Sequence, residues 1–538
     1  MVHDLFCING SWTVDYPLFL LRGTFSCHLS CQPITVTKTN SILFKTSSKT
    51  APGVFFKALI SLDTGLNSVS ICCPHISYNC AIKKVPVDDT RPYVRCIYVV
   101  FRGHDGSFQA PPNVPCDSDS ACRRFGLAVR LLQTLTAETI FAETGCRRTF
   151  VCAGDLSTPS NLQPRVVASP VSVAVWCIQS RMDFQEAQSV SSLHLWECLA
   201  RELDAIFWED RGRAKWLAVV SCTEFRPLTS SEIMPTSHEE VIARTKGYCA
   251  LGGREEISLI SVVGTGGLAL VGSGTLYTWP ESAEEIGLCL SNTSEVNQRE
   301  YLDDSGYRGT YWANYTTALG TMLHEIGHCF DLDHNSEGIM RRGGDDLNLV
   351  LAFPPPGSSS RTVKFSGVTF YENALQVTEN AQDQSDILWG RCESVEDCGR
   401  AFWRKEVAQF LSFHRWFIDS PRTRDEHGTE LKDGILKSPT GIRLIQIRIT
   451  EDTSSPNLAK LWNLTRHASV PELPLDASLM QGCIVYHKLF ERPQKRLSIT
   501  KILQNAFSRL NVPTLKVVVL DCNGYVFQKT ASNDHPEK

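Results

Sequence analysis

The sequence has no run of 18 or more apolar residues, so it encodes no membrane-spanning helix. It has no basic excess either. Its 53 Lys and Arg face 58 Asp and Glu, a net charge of −5, which argues against a broad nucleic-acid surface. The opening residues, MVHDLFCINGSWTVDYPLFLLRG, lack the features of a signal peptide. His3 and Asp4 stand where a basic cluster belongs, and Asn9, Gly10, Asp15 and Pro17 break the apolar run. The expectation is a cytoplasmic or nuclear chain that is not secreted. Other signatures are missing too. The glycine-rich VGTGGLALVGSG has neither a P-loop lysine nor the dinucleotide spacing. No G-x-S-x-G elbow, internal repeat or clean C-x-x-C pair is found.

Cysteine is plentiful, at 21 residues. An odd count in a long chain without a secretion signal reads as reduced, mostly buried thiols. Cys27, His28 and Cys31, together with Cys72 to His75, could ligate a structural zinc, but buried thiols are the simpler reading. Hydrophobic residues make up 42% and charged residues 21% of 538, enough for about two to four ordinary domains.

The pattern predicts a multidomain α+β chain. Residues 1–90 hold short β-branched and aromatic runs split by Gly, Pro, Asn and Ser, the marks of a β-rich N-terminal sandwich. From 91 to 420 strands and helices alternate, an α/β core. YVRCIYVVFRG is an almost unbroken apolar strand suited to a sheet covered on both faces, and ACRRFGLAVRLLQTLTAETIFAETG is a long helix. A helix is also predicted over SVEDCGRAFWRKEVAQFLSFHRWF, capped by Ser394. His414 on it reads as a packed or helix C-terminal residue and not as a ligand. Residues 435–538 read as a small C-terminal β or α+β domain.

Within the core, TMLHEIGHCFDLDHNSEGIM concentrates the chemistry. His324, Glu325 and His328 spell H-E-x-x-H. The preceding YWANYTTALGTML has no proline and carries an apolar stripe, so the motif falls on a helix. Both imidazoles then point one way and can share a zinc ion, with Glu325 beside them to take a proton from water. His334 lies six residues beyond His328, so the chain must turn sharply near Cys329 to Leu332 to bring it back. Three histidines leave one coordination position open, which suits a catalytic zinc rather than a structural one. The alternative is a helix end with exposed histidines, which the helix dipole favours.

These residues resemble the metzincin clan of zinc endopeptidases, whose pattern is H-E-x-x-H-x-x-G-x-x-H followed by a methionine turn. The resemblance implies that His324, His328 and His334 bind one zinc, that Glu325 is the general base, and that Met340 floors the site. More narrowly, HEIGHCFDLDHNSEGIM is similar to a eukaryotic family of zinc metallopeptidases. Some of its fungal members carry a jacalin-like lectin domain. The tail after residue 435 does not read as one. A metzincin-like core implies a protein or peptide substrate; the charge balance and the lack of a long apolar run predict neither nucleic acid nor membrane as a partner. Asp331 stands where the clan has glycine, and Asp tolerates the left-handed turn at some cost. Asp331 as the third ligand is the competing reading. The tyrosine that some metzincins place after the methionine is absent. The clan holds substrate on an edge strand, for which Gly266–Pro280 is the candidate, with an ordinary core hairpin as the alternative reading of that segment. Two other functions are compatible with these residues: a catalytically silent zinc-binding scaffold, and a hydrolase of another amide.

Overall fold

A computed structural model of the chain describes residues 11–25, 35–37, 42–50, 53–73, 76–157, 162–253, 267–305, 308–335, 337–341, 343–353, 401–418, 428–450, 484–510 and 512–533. Seven strands come first: β1 (Ser11–Val14), β2 (Leu18–Phe25), β3 (Thr35–Thr37), β4 (Ile42–Thr50), β5 (Gly53–Ser61), β6 (Gly65–Cys73) and β7 (Ile76–Lys84). They form two sheets, ordered β1-β7-β6-β3 and β2-β5-β4. Alternation assigns the faces of the smaller sheet. Phe19, Leu21, Ala58 and Ile60 pack with Val69, Ile71 and Ile82 of the other sheet. Leu18, Leu20 and Leu59 turn the other way, into the main core. There Thr134 of the long helix Ser118–Thr144 donates to the Leu18 carbonyl at 2.8 Å.

The run YVRCIYVVFR becomes β8 (Tyr93–Arg102), buried at every position but the last. It lies inside the central sheet with β9 (Val151–Cys152), β10 (Val175–Asp183), β11 (Ala214–Val220), β14 (Ala250–Gly252) and β15 (Leu268–Gly272). The sheet order is β10-β8-β11-β15-β14, with β9 also paired to β8. All pairings are parallel except β14 with β15. Between β11 and β14 lies the small hairpin of β12 (Glu224–Phe225) and β13 (Thr245–Lys246). Burial on both faces explains the unbroken apolar run. Val94, Cys96, Tyr98 and Val100 enter the core shared with the helices Ser118–Thr144 and Tyr311–Cys329. Ile97, Val99 and Phe101 enter the opposite core with Leu195, Leu199 and Leu203 of the helix Ser192–Ile206.

The last sheet contains β16 (Glu430–Lys432), β17 (Ile435–Ile449), β18 (Ile484–Ser498), β19 (Thr514–Asp521) and β20 (Val526–Ser532). Its order is β16-β17-β19-β20, with β18 also on β17. The helix Thr500–Leu510 covers one face through Leu503 and Phe507. From the other face Leu444, Val518 and Leu520 join the main core. The helix expected from Ser394 begins at Lys405 among the described residues, and its proposed cap lies outside them. No helix among the described residues is long and apolar enough to cross a membrane. The cysteines whose side chains are described are free thiols. Cys27, His28, Cys31 and the Cys72 to His75 side chains lie outside the described residues.

Candidate metal centre

The helix Tyr311–Cys329 carries the H-E-x-x-H motif. Tyr315, Leu319, Met322, Leu323 and Ile326 bury its apolar stripe in the main core. His324 and Glu325 are buried at 8% and 9% exposure, and His328 is half-buried one turn on.

The helix ends in a Schellman arrangement. Leu332 N–H donates to the Gly327 carbonyl at 3.2 Å and Asp331 N–H to the His328 carbonyl at 3.1 Å. Asp331 takes the left-handed conformation between them, with φ of 62°. This is the position where glycine was expected, and Asp fills it in the conformation that glycine would have taken. The reversal returns the chain so that His334 meets the other two histidines.

His328 Nε2 lies 3.2 Å from both His324 Nε2 and His334 Nε2. One nitrogen from each ring falls within 4.8 Å of the others. His324 Nδ1 donates to the Ile339 carbonyl at 2.9 Å, and His328 Nδ1 to the Leu332 carbonyl at 2.8 Å. A carbonyl only accepts, so both Nδ1 atoms carry the proton. Both Nε2 atoms then point lone pairs at a common centre. Lone pairs facing one another at this distance repel unless a cation lies between them. Tetrahedral zinc with bonds of about 2.05 Å separates its nitrogen ligands by about 3.3 Å, so the donor set fits that ion.

Met340 is 1% exposed beneath the helix. A Cβ at Gly327 would meet its sulfur at 2.8 Å, so the glycine of HEIGH makes room for the methionine. Gly338, at φ of 74°, shapes the turn that delivers it, and Ile339 N–H donates to the Phe402 carbonyl at 2.9 Å. Gly343 and Gly344 are buried in a 3₁₀ turn, and Gly344 lies backbone to backbone against Gly320 of the metal-site helix.

The edge strand differs from the one expected. Within Gly266–Pro280, β15 is flanked on both sides by β11 and β14. Among the described residues the edge is β14, one strand further out. It can approach the metal-site helix because Gly252 and Gly253 have no side chains. A Cβ on Gly252 would fall on the Glu325 carbonyl, and one on Gly253 against the His328 backbone. The signal was the pair of glycines in ALGG, which reads from sequence as an ordinary turn.

Asp331 is outside the histidine cluster. Its Oδ2 accepts from His414 Nε2 and its Oδ1 from Gln528 Nε2, each at 3.1 Å. Burial pushes the Asp331 carboxyl up, but the His414 hydrogen bond and the charges of Lys215 and Arg448 hold it below its usual value. Burial also lowers His414, against the pull of Asp331. A neutral His414 fits its contacts. Nε2 donates to the carboxylate, and Nδ1 is buried without a partner among the described residues. Asp331 therefore serves the turn, and reading His414 as a packed residue missed its partner.

A model of the family described as "Putative peptidase family" matches residues 4–390. Two fungal proteins are similar. The Saccharomyces cerevisiae "Putative zinc metalloproteinase YIL108W" is 22% identical over 300 residues, 55% of this chain and 41% of that protein. The Schizosaccharomyces pombe "Putative zinc metalloproteinase C607.06c" is 23% identical over 346 residues, 62% of this chain and 51% of that protein. The chain thus spans about half, or less, of the length of these relatives. Among solved structures it is similar to catalytically inactive OgpA from Akkermansia muciniphila in complex with an O-glycopeptide substrate. That match has a TM-score of 0.42 and 12% identity over 84% of this chain and 96% of that one.

Proposed function

The chain belongs to the "Putative peptidase family", and from that membership we propose that it is a zinc-dependent peptidase of metzincin type. His324, His328 and His334 would hold the metal, and Glu325 would be the general base. The observation that carries this reading is the convergence of three imidazole nitrogens, two with their protons committed to carbonyls on the far side.

Zinc, when bound there, supplies a Lewis acid that polarises the scissile carbonyl and makes water a stronger acid. Glu325, next to His324 and largely shielded from solvent, takes the proton from the attacking water and returns it to the leaving amine. Strand β14 pairs only with β15 among the described residues, so its outer edge can take an extended peptide as an added strand. Its approach to the Glu325 and His328 backbone supports a substrate path beside the metal.

A peptide library incubated with and without a chelator tests the proposal. Cleavage that the chelator stops and added zinc restores is the expected result. Zinc binding with no cleavage of any peptide would contradict it and leave a zinc-binding scaffold.

A further inference from the structure

The three histidines are not held alike. His324 and His328 inherit their spacing from helix geometry, whereas His334 sits on irregular backbone. A ligand on such a segment needs contacts outside it to fix its place. Those contacts come from far along the chain. Arg448 Nη1 donates to the Asp331 carbonyl at 2.7 Å and to Asp333 Oδ2 at 2.9 Å. Lys516 Nζ donates to Asp333 Oδ1 at 3.1 Å. Gln528 Nε2 donates to Asp331 Oδ1 at 3.1 Å. The three donors lie on β17, β19 and β20, and their acceptors lie just before His334.

The clamp is itself held. Arg448 is 2% exposed. Its Nε and Nη2 both donate to Gln446 Oε1, at 2.9 and 2.7 Å, so the planar guanidinium cannot swing. Gln446, fully buried, donates in turn to the Glu406 carbonyl at 3.1 Å. Arg448 therefore presents one nitrogen to the loop from a fixed platform, and Asp333 is addressed by two cations at once.

We propose that Arg448, Lys516 and Gln528 are positioning residues for His334, so that the C-terminal sheet is part of the metal centre. All three lie beyond the matched segment 4–390, and the inference rests on the zinc reading above. Without the clamp, Asp333 loses its two cations and Asp331 keeps only its His414 tie, so the third nitrogen is no longer held near the other two.

Zinc affinity of the full chain, measured by competition with a chromogenic chelator, tests this on wild type, R448A, R448K, K516A and D333N. Melting of the metal-free proteins is followed alongside. R448A and D333N should bind zinc at least about tenfold more weakly, the size usual for loss of a ligand-supporting contact. K516A should lose less, and R448K should recover part of the loss. Metal-free D333N and K516A should melt within about 5 °C of wild type, separating positioning from folding. If R448A does not fold, D333N and K516A carry the comparison. Variants that bind as tightly as a zinc-binding wild type overturn the clamp alone. A wild-type chain that binds no zinc overturns both readings at once.

Discussion

The Nε2 atom of His414 donates to the Asp331 carboxylate at 3.1 Å, joining the turn behind the second histidine to a helix end 83 residues further on. That contact explains why a non-glycine residue occupies a left-handed position. Asp331→Gly would relieve the backbone but leave the buried His414 and half-buried Gln528 donors without their acceptor. We expect D331G to destabilise by about 1–2 kcal/mol and D331A, which keeps the strain as well, by about 2–4 kcal/mol. D331N should cost least. Its amide oxygen can accept from His414, and Gln528 can flip its Oε1, which has no partner among the described residues, toward the new amide nitrogen. Denaturant midpoints of the three variants check the order; a D331G more stable than wild type would refute it.

Two glycines at the site should respond differently to alanine. A Cβ on Gly252 would collide with the Glu325 backbone carbonyl, which the helix cannot move. A Cβ on Gly327 would meet the flexible end of Met340 at 2.8 Å. G252A should cost about 3 kcal/mol or more and displace β14 from the helix, while G327A should cost about 1 kcal/mol. Thermal melting of both variants measures the contrast, and equal losses would show that Met340 is as rigid as backbone.

Much of this was legible in the sequence for identifiable reasons. Tyr93–Arg102 was readable because a strand buried on both faces is apolar at nearly every position, Arg95 being the buried exception, paired with Asp210. His324 and His328 were readable because helical spacing is local. His334 was readable only by supposing a sharp turn after His328, and Met340 required a family pattern. The clamp was not readable. Arg448, Lys516 and Gln528 look like ordinary polar positions on strands, and their acceptors lie 115 to 197 residues away. The edge strand was misplaced because Gly266–Pro280 carries the stronger apolar run, and a run that strong belongs inside a sheet. The short ALG of β14 suits an edge.

His487 should make the C-terminal sheet acid-sensitive. Burial lowers its pKa from 6.5 to about 4. Its contacts fit the neutral ring: Nδ1 accepts from Gln446 Nε2 at 3.3 Å and Nε2 donates to Gln409 Oε1 at 2.8 Å. Between these two values the unfolded chain binds the proton more readily, so stability is lost as pH falls from about 6.5 toward 4. His487 alone should account for about 2 kcal/mol of loss between pH 7 and 5. Urea unfolding of wild type and H487Q at both values checks this, and an equal pH-dependent loss in the two proteins would rule it out.

Zinc should bind at one ion per chain through nitrogen and oxygen alone, at about 2.0–2.1 Å by X-ray absorption. A second equivalent, or a sulfur shell near about 2.3 Å, would point instead to a thiolate site such as Cys27, His28 and Cys31.

The most direct test of the account is peptide cleavage by Glu325→Gln, measured beside its zinc content. The variant keeps all three histidines and loses only the carboxylate that moves the proton. The account expects one zinc per chain, as in wild type, with cleavage reduced to background. A zinc-loaded E325Q that cleaves peptides as fast as wild type would contradict it.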